Sequence, residues 1–195
     1  MPEEGYWESL FDVPLILNAL GIASDLGDVA EMGCGFGTFS IPVAQRIQGK
    51  LLAFDIDPAM VVRTAKRAQA AGLSNVDCRH RDVMAEGFGL PEGSVDAALL
   101  FNILHSEFPE TLLGQAAHAV RAGGHVVVIH WRYDSRTPRG PDLAIRPKPE
   151  QIVAWAHTNR NLRAVGGPIN LPPWHYGLRL VRLDEQASEK DSNRS

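Results

Sequence analysis

Polar side chains stand at four points where a buried strand is predicted to end, and a run of glycines follows the first of them. The four residues are Glu31, Asp55, Asp82 and Asn102. In a sheet of parallel strands the carboxyl ends share one edge, and ligands bind there. Carboxylates at that edge can accept hydrogen bonds from hydroxyl and amino groups, and glycines let a ligand approach bare backbone. The combination predicts a site for a nucleotide-like molecule.

The glycine turn has the sequence Glu-Met-Gly-Cys-Gly-Phe-Gly over residues 31–37, between an apolar run and an amphipathic segment. Gly33 permits the sharp turn, and Gly35 and Gly37 carry no Cβ that would exclude a ligand. Dinucleotide sites use G-x-G-x-x-G, whereas Thr38 stands here where the third glycine would be. This departure disfavours a nicotinamide-dependent oxidoreductase, which stays an alternative.

Asp55 follows the glycine turn at about the 20-residue distance expected of an acid that holds a ribose. Its two carboxylate oxygens can accept from both ribose hydroxyls. Asp82 could accept from an adenine amine, and the backbone N–H of Val83 could meet a ring nitrogen. Glu31 and Asp82 could equally be ordinary strand-end acids, and Asp57 is expected only to cap the next helix.

Three histidines are placed where a general base could act. His105 follows the predicted fourth strand, His130 lies at the end of the fifth, and His175 lies in the turn between the last two. Neutral histidine can take a proton near pH 7. Each could also be a packing or loop residue, so the sequence leaves the three open.

Alternating strands and helices must position these residues. Strands are predicted at 29–32, 51–54, 76–81, 95–101, 125–131, 162–165 and 176–183, and helices at 7–20, 39–47, 58–71, 106–121 and 149–158. Right-handed parallel crossovers then give a sheet with helices on both faces. The last connection is too short for a helix, so the final strand must reverse. We therefore expect an α/β, Rossmann-like, doubly wound sheet of seven strands, mostly parallel with an antiparallel last strand.

Composition limits the remaining possibilities. The chain has 195 residues, of which 45% are hydrophobic, and we expect one domain over 1–183 and a disordered tail over 184–195. A net charge of −4 gives no field that attracts nucleic acid or an anionic membrane. Two cysteines form neither a metal-spaced set nor a disulfide framework. We expect a cytoplasmic protein without a metal or a membrane span, and oligomeric state stays open.

Five segments occur in the order and at the spacing of the class I S-adenosylmethionine-dependent methyltransferases, and the chain resembles that family over roughly residues 28–131. The segments are 31–37, 53–58, 81–83, 101–105 and 121–124. A sixth, Leu-Pro-Pro-Trp-His-Tyr-Gly at 171–177, resembles the closing turn of small bacterial members, including relatives of the ubiquinone-biosynthesis methyltransferases.

The resemblance implies S-adenosylmethionine as cofactor and an in-line transfer of its methyl group. It also implies the binding residues: Glu31, Gly33, Cys34 and Gly35 at the methionine end, Asp55 at the ribose, Ile56, Asp82 and Val83 at the adenine, and Asn102 near the sulfonium. A relative that binds the cofactor without catalysis stays an alternative.

A small-molecule acceptor is expected by elimination. Amino-methylating enzymes of nucleic acids carry Asn/Asp-Pro-Pro-aromatic after the fourth strand, where this chain has Asn-Ile-Leu-His at 102–105. Two segments could border the acceptor: the basic 132–148 loop and the 171–177 turn with His175. The aromatic residues Tyr6, Trp7 and Phe11 could close over the cofactor. Each of them could instead be structural.

Overall fold

A computed structural model describes residues 3–158 and 162–184 of the chain. It contains one sheet with the strand order β3-β2-β1-β4-β5-β8-β6, and β7 also pairs with β8. The strands are β1 Val29–Met32, β2 Leu51–Asp55, β3 Val76–His80, β4 Val95–Phe101, β5 Val120–Trp131, β6 Leu162–Ala164, β7 Ile169–Leu171 and β8 His175–Arg182. Strands β1 to β5 run parallel, and β8 is antiparallel to β5. The predicted doubly wound fold with a reversed last strand is confirmed.

The number of strands needs one correction, from seven to eight. β6 and β7 both pair with β8, β6 near its end and β7 near its beginning. They occupy the edge of β8 that β5 leaves free. The segment between them contains Gly166, Gly167 and Pro168, and a proline cannot donate to a ladder. The outer edge strand is therefore broken in two.

Seven helices connect the strands in the described part of the chain. They are α1 Glu4–Glu8, α2 Val13–Ala19, α3 Ser40–Ala44, α4 Pro58–Ala70, α5 Val83–Glu86, α6 Pro109–Ala119 and α7 Pro149–Thr158, with a 3-10 turn at Leu143–Ile145. The single first helix predicted over 7–20 is wrong, because Asp12 accepts from the N–H of Leu15 and starts α2 afresh, with Pro14 in its first turn. The four-residue α5 was not predicted.

The central strand β4 is buried on both faces, as its apolar sequence predicts. Leu99 and Leu100 are both fully buried but belong to two different core clusters, one on each face of the sheet. Helices α1 to α3 contribute to one cluster, and α6 and α7 to the other. The sheet is thereby packed between two layers of helices. The loops that follow its strands lie at the carboxyl edge.

No helix among the described residues is long and apolar enough to cross a membrane. Of the tail predicted to be disordered, residues 185–195 lie outside the described ranges.

Candidate functional site

The glycine turn after β1 is fastened to the end of β2. The N–H groups of Gly33 and Cys34 both donate to the carbonyl of Phe54, at 2.8 and 3.0 Å. Gly33 and Gly35 have φ angles of 78° and 53°, a left-handed conformation that costs other residues more than glycine. The turn therefore presents its backbone toward the carboxyl edge of the sheet.

Asp55 is held from both sides by backbone donors. Its Oδ2 accepts from the N–H of Gly35 at 2.8 Å, and its Oδ1 accepts from the N–H of Asp57 at 2.9 Å. A carboxylate oxygen has two lone pairs, so each oxygen can accept one more hydrogen bond. Asp57 itself caps α4 through Ala59, at 2.8 Å, as its sequence position predicts.

A cavity of about 270 Å³, here called the strand-edge cavity, opens beside Asp55. Its walls come from the ends of β1, β2 and β4 and from the start of α5, and they include Gly33, Asp55, Ile56, Asp82, Val83, Ile103, His105 and Ser106. Ile56 lines the cavity and is 63% exposed, so its side chain is accessible to cover a flat ring. The cavity is mostly apolar with carboxylates at its margin, the mixture that small-molecule sites use.

Asp82 has a structural role in addition to its place in this cavity. Its Oδ1 accepts from the N–H of Ala85 at 3.1 Å and caps α5. Val83 is the first residue of α5, so its N–H has no acceptor within the helix. One carboxylate oxygen and one N–H therefore stay available side by side.

Glu31 and Cys34 lie beneath the turn and do not line the strand-edge cavity. Glu31 is 2% exposed and accepts a hydrogen bond of 2.5 Å from the hydroxyl of Ser40. Burial raises the pKa of Glu31 to about 8, against an ordinary value of 4.5. Cys34 is also buried, and burial raises the pKa of its thiol.

Asn102 carries two unsatisfied groups at the end of β4. Its φ is 57°, and its amide Nδ2 and Oδ1 are both buried without a hydrogen-bond partner in the described part of the structure. A buried polar group without a partner costs roughly 1–3 kcal/mol. The residue is thus held in an uncommon conformation with a buried, unsatisfied amide, next to Ile103, which lines the strand-edge cavity.

A second and larger cavity, about 850 Å³, meets the first at His105 and Ser106, which line both. We call it the acceptor-side cavity. Its walls come from the β4–α6 connection, the loop after β5 and the start of α7, including Leu104, Tyr133, Leu143, Ala144, Ile145, Lys148, Glu150 and Trp155. The site therefore has two compartments with one shared wall.

The three candidate histidines occupy three different environments. His105 is half-buried and lines both cavities. His130 is fully buried behind it, with ring centroids 5.6 Å apart. His175 is fully buried on the other face of the sheet, stacked against Phe11 at 4.5 Å and close to Trp131 at 4.2 Å. His175 lines neither cavity, so its placement favours packing over contact with an acceptor.

Burial lowers the pKa of all three histidines. It lowers the pKa of His130 and of His175 to about 3, and it also lowers the pKa of His105 below its ordinary value of 6.5. All three rings are therefore neutral at neutral pH. A neutral ring can accept a proton, which is the property that a general base requires.

Two arginines of the basic loop after β5 are engaged in contacts within the loop. Arg146 is 7% exposed and donates to the carbonyls of Arg132 and Pro141 and to the hydroxyl of Thr137. Arg136 pairs with Asp134 at 2.7 Å. These contacts give Arg146 and Arg136 structural roles.

Sequence reasoning missed Ser106 and the cavity walls at the start of α7, Glu150 and Gln151. It did name the 132–148 loop, which supplies the wall residues 143–148, as a segment that could border the acceptor. Ser106 has a buried hydroxyl without a partner among the described residues. Its position in the sequence next to the candidate base His105 is the feature that could have indicated Ser106 as a site residue. The walls at the start of α7 gave no signal, because only packing brings them to the end of β4.

Comparisons with known proteins agree with this geometry. A family model described as "Methyltransferase domain" matches residues 29–124. The chain is 29% identical over 107 residues to a protein-L-isoaspartate O-methyltransferase of Nitrosomonas europaea, covering 55% of this chain and 45% of that protein. It is 35% identical over 77 residues to a 23S rRNA (uracil(1939)-C(5))-methyltransferase of Alcanivorax borkumensis, covering 40% and 17%. The chain thus spans less than half the length of these curated relatives.

Among solved structures, a SAM-dependent methyltransferase from Aquifex aeolicus is similar over almost the whole chain. Its TM-score is 0.80 at 19% identity, with 93% of this chain and 94% of that chain covered. This likeness extends the shared fold beyond the family match, to α7 and the last strands.

Proposed function

We propose that this chain, which carries a class I S-adenosylmethionine-dependent methyltransferase domain, transfers a methyl group to a small-molecule acceptor bound in the acceptor-side cavity. The observation that carries the proposal is the meeting of the two cavities at His105 and Ser106. A cofactor in one cavity and an acceptor in the other would face each other across that shared wall.

The residues of the strand-edge cavity fit the family's cofactor, S-adenosylmethionine. Asp55 keeps a free lone pair on each oxygen for the ribose hydroxyls, and Asp82 with the N–H of Val83 suits the adenine edge. The exposed Ile56 suits the adenine face. When bound, the cofactor supplies an electrophilic methyl group on a cationic sulfur.

The chain contributes position and enclosure to the transfer. Reacting atoms held in line and close together gain much of the rate acceleration through orientation alone. The unsatisfied amide of Asn102 and the hydroxyl of Ser106 lie where β4 ends and can hold polar groups there. Leu104, Ile145 and Trp155 supply apolar walls for the acceptor.

The size and charge of the acceptor-side cavity favour a small molecule over nucleic acid. A volume of about 850 Å³ is within the roughly 300–1,000 Å³ range of small-molecule sites. Arg136 and Arg146 of the neighbouring loop are engaged in internal contacts. The net charge of −4 gives no general attraction for phosphates. The similarity to an rRNA methyltransferase makes RNA the second candidate to test.

A cavity-filling variant tests the proposal. Purified protein is incubated with S-adenosylmethionine and pools of small acceptors, and S-adenosylhomocysteine is measured. We expect a productive pool whose turnover is lost in Ala144→Trp, an exposed wall position, while calorimetric affinity for S-adenosylmethionine stays within about twofold. Ala71→Trp, at the far end of α4, is the matched control and should retain turnover. Product formed only with RNA or protein, or full turnover in Ala144→Trp, would overturn the assignment of the cavity.

A further inference from the structure

The buried histidine behind the active-site wall has an orientation that its neighbours determine. The Nδ1 of His130 lies 3.5 Å from the backbone carbonyl of Trp131. A carbonyl oxygen can only accept, so the contact is favourable when Nδ1 carries the proton. The Nε2 of neutral His130 is then a bare acceptor, and it is buried without a partner among the described residues.

His105 offers the matching donor. Of its two ring nitrogens, Nδ1 is the one buried without a partner in the described ranges. This leaves Nε2 as the nitrogen that can face the cavities that His105 lines. The two rings are edge to face, at an interplanar angle of 72° and a centroid separation of 5.6 Å. No direct hydrogen bond joins these two nitrogens in the described structure, so joining them requires either a movement of the rings toward each other or one bridging water.

The surroundings of His130 keep it neutral and therefore able to accept. Its neighbours are His105 and Tyr176, and the charges or rings of Arg146 and His175 also act on it. The Tyr176 hydroxyl already donates to the carbonyl of Pro147 at 2.8 Å. No carboxylate is among the groups that contact or act on His130 in the described structure. The Trp131 carbonyl favours a charged His130 ring, but burial opposes it more strongly and lowers the pKa of His130 to about 3.

We propose that His130 is a positioning residue that accepts a hydrogen bond from Nδ1–H of His105, directly or through one water, and so fixes His105 in the tautomer whose bare Nε2 faces the acceptor. The inference rests on the proposed function and narrows the acceptor to compounds that lose a proton on methylation, a class that includes hydroxyl compounds. An acceptor of this class suits a neutral base at the wall between the two cavities.

The proton and electron balance of that step is complete. The acceptor O–H bond breaks and its proton passes to Nε2 of His105. A lone pair of the oxygen forms the new O–CH₃ bond, and the electron pair of the broken S–CH₃ bond stays on sulfur. No oxidant or further reactant is needed.

Long-range ¹H–¹⁵N correlation NMR on histidine-labelled protein tests the inference without cofactor or acceptor. At pH 7.5 we expect His105 of the wild-type protein to be the Nδ1–H tautomer. In His130→Phe, His105 should change to the Nε2–H tautomer that an unconstrained imidazole prefers. In His130→Gln, whose amide oxygen can replace the acceptor, His105 should stay Nδ1–H. His175→Phe, on the other face of the sheet, is the matched control and should leave the His105 signals unchanged.

An Nε2–H tautomer of His105 in the wild-type protein would overturn the inference, as would an unchanged tautomer in a folded His130→Phe variant. If neither His130 variant folds, the wild-type tautomer decides alone. Because this measurement needs no turnover, its failure is distinct from failure of the proposed function, which the Ala144→Trp assay reports.

Discussion

The backbone N–H of Gly35 donates a hydrogen bond of 2.8 Å to Oδ2 of Asp55 and thereby joins the glycine turn to the carboxylate at the end of β2. The N–H of Asp57 holds the other oxygen at 2.9 Å. The carboxylate is therefore oriented before any ligand arrives. Such preorganisation reduces the entropy lost on binding.

Asp55→Ala should weaken S-adenosylmethionine binding at least tenfold. Charged hydrogen bonds contribute roughly 1.5–3 kcal/mol each and do not add fully, so losing two ribose contacts should cost about 2–4 kcal/mol. Isothermal titration calorimetry measures the dissociation constant. Asp57→Ala is the matched control: loss of the α4 cap should cost about 1 kcal/mol of stability and leave affinity within about twofold. Equal affinity in wild-type and Asp55→Ala proteins would remove the ribose role.

Gly33→Ala should lose cofactor affinity beyond its cost in stability. Gly33 lines the strand-edge cavity, and its φ of 78° costs an alanine about 1–2 kcal/mol. Gly72→Ala has a similar φ of 69°, with open space around the added Cβ, so it controls for backbone strain. We expect similar losses of thermal stability in both variants and weaker binding only in Gly33→Ala. If both bind like wild type, the glycine is needed for the turn alone.

The fold and the cofactor side of the site could be predicted because they depend on local pattern. Strand ends at Asp55 and Asn102 follow from apolar runs, and the φ angles of Gly33 and Gly35 from residue type. Right-handed crossovers then bring those positions to one edge. The strand predicted at 162–165 is present as β6, but β7 escaped prediction because it has only three residues and is defined by pairing with β8.

The acceptor side could not be predicted, because side-chain direction within β5 and β8 decides it. His130 lies near the end of β5 and His175 at the start of the antiparallel β8, at the same edge of the sheet, but alternate residues of a strand point to opposite faces. His130 consequently lies behind His105, whereas His175 lies with Phe11 and Trp131. If the residues of β8 are shifted by one position in the sheet, His175 moves to the face that carries His130. Sequence periodicity does not resolve such a shift.

Glu31→Gln should remove a pH dependence of stability. The folded pKa of Glu31, about 8, exceeds the ordinary value of 4.5, so the folded protein holds a proton that the unfolded chain has lost. The free energy of unfolding should therefore fall as pH rises from about 4.5 to about 8, by on the order of a few kcal/mol, and then level off. Urea unfolding at a series of pH values measures this.

In Glu31→Gln the decline over that window should be smaller by the same amount, because glutamine accepts the Ser40 hydrogen bond without ionising. Glu110→Gln, at an exposed carboxylate on α6, is the control and should follow the wild-type profile. Parallel profiles for wild-type and Glu31→Gln proteins would show that Glu31 is ionised in the folded state.

His175→Phe should make the protein more resistant to acid. Burial lowers the folded pKa of His175 to about 3, below its ordinary value of 6.5, so the unfolded chain takes up a proton first as pH falls. The wild-type protein therefore has its full free energy of unfolding above pH 6.5 and loses part of it as the pH falls from 6.5 to about 3. Phenylalanine keeps the stacking on Phe11 and Trp131 and removes two buried nitrogens that lack partners within the described structure.

Circular dichroism across an acid titration should show a lower unfolding midpoint in pH than for wild type, whereas His118→Phe, at an exposed site, should not shift it. A midpoint unchanged in His175→Phe would mean that the ring is charged or solvated in the folded protein, and would return His175 to the candidates for contact with the acceptor.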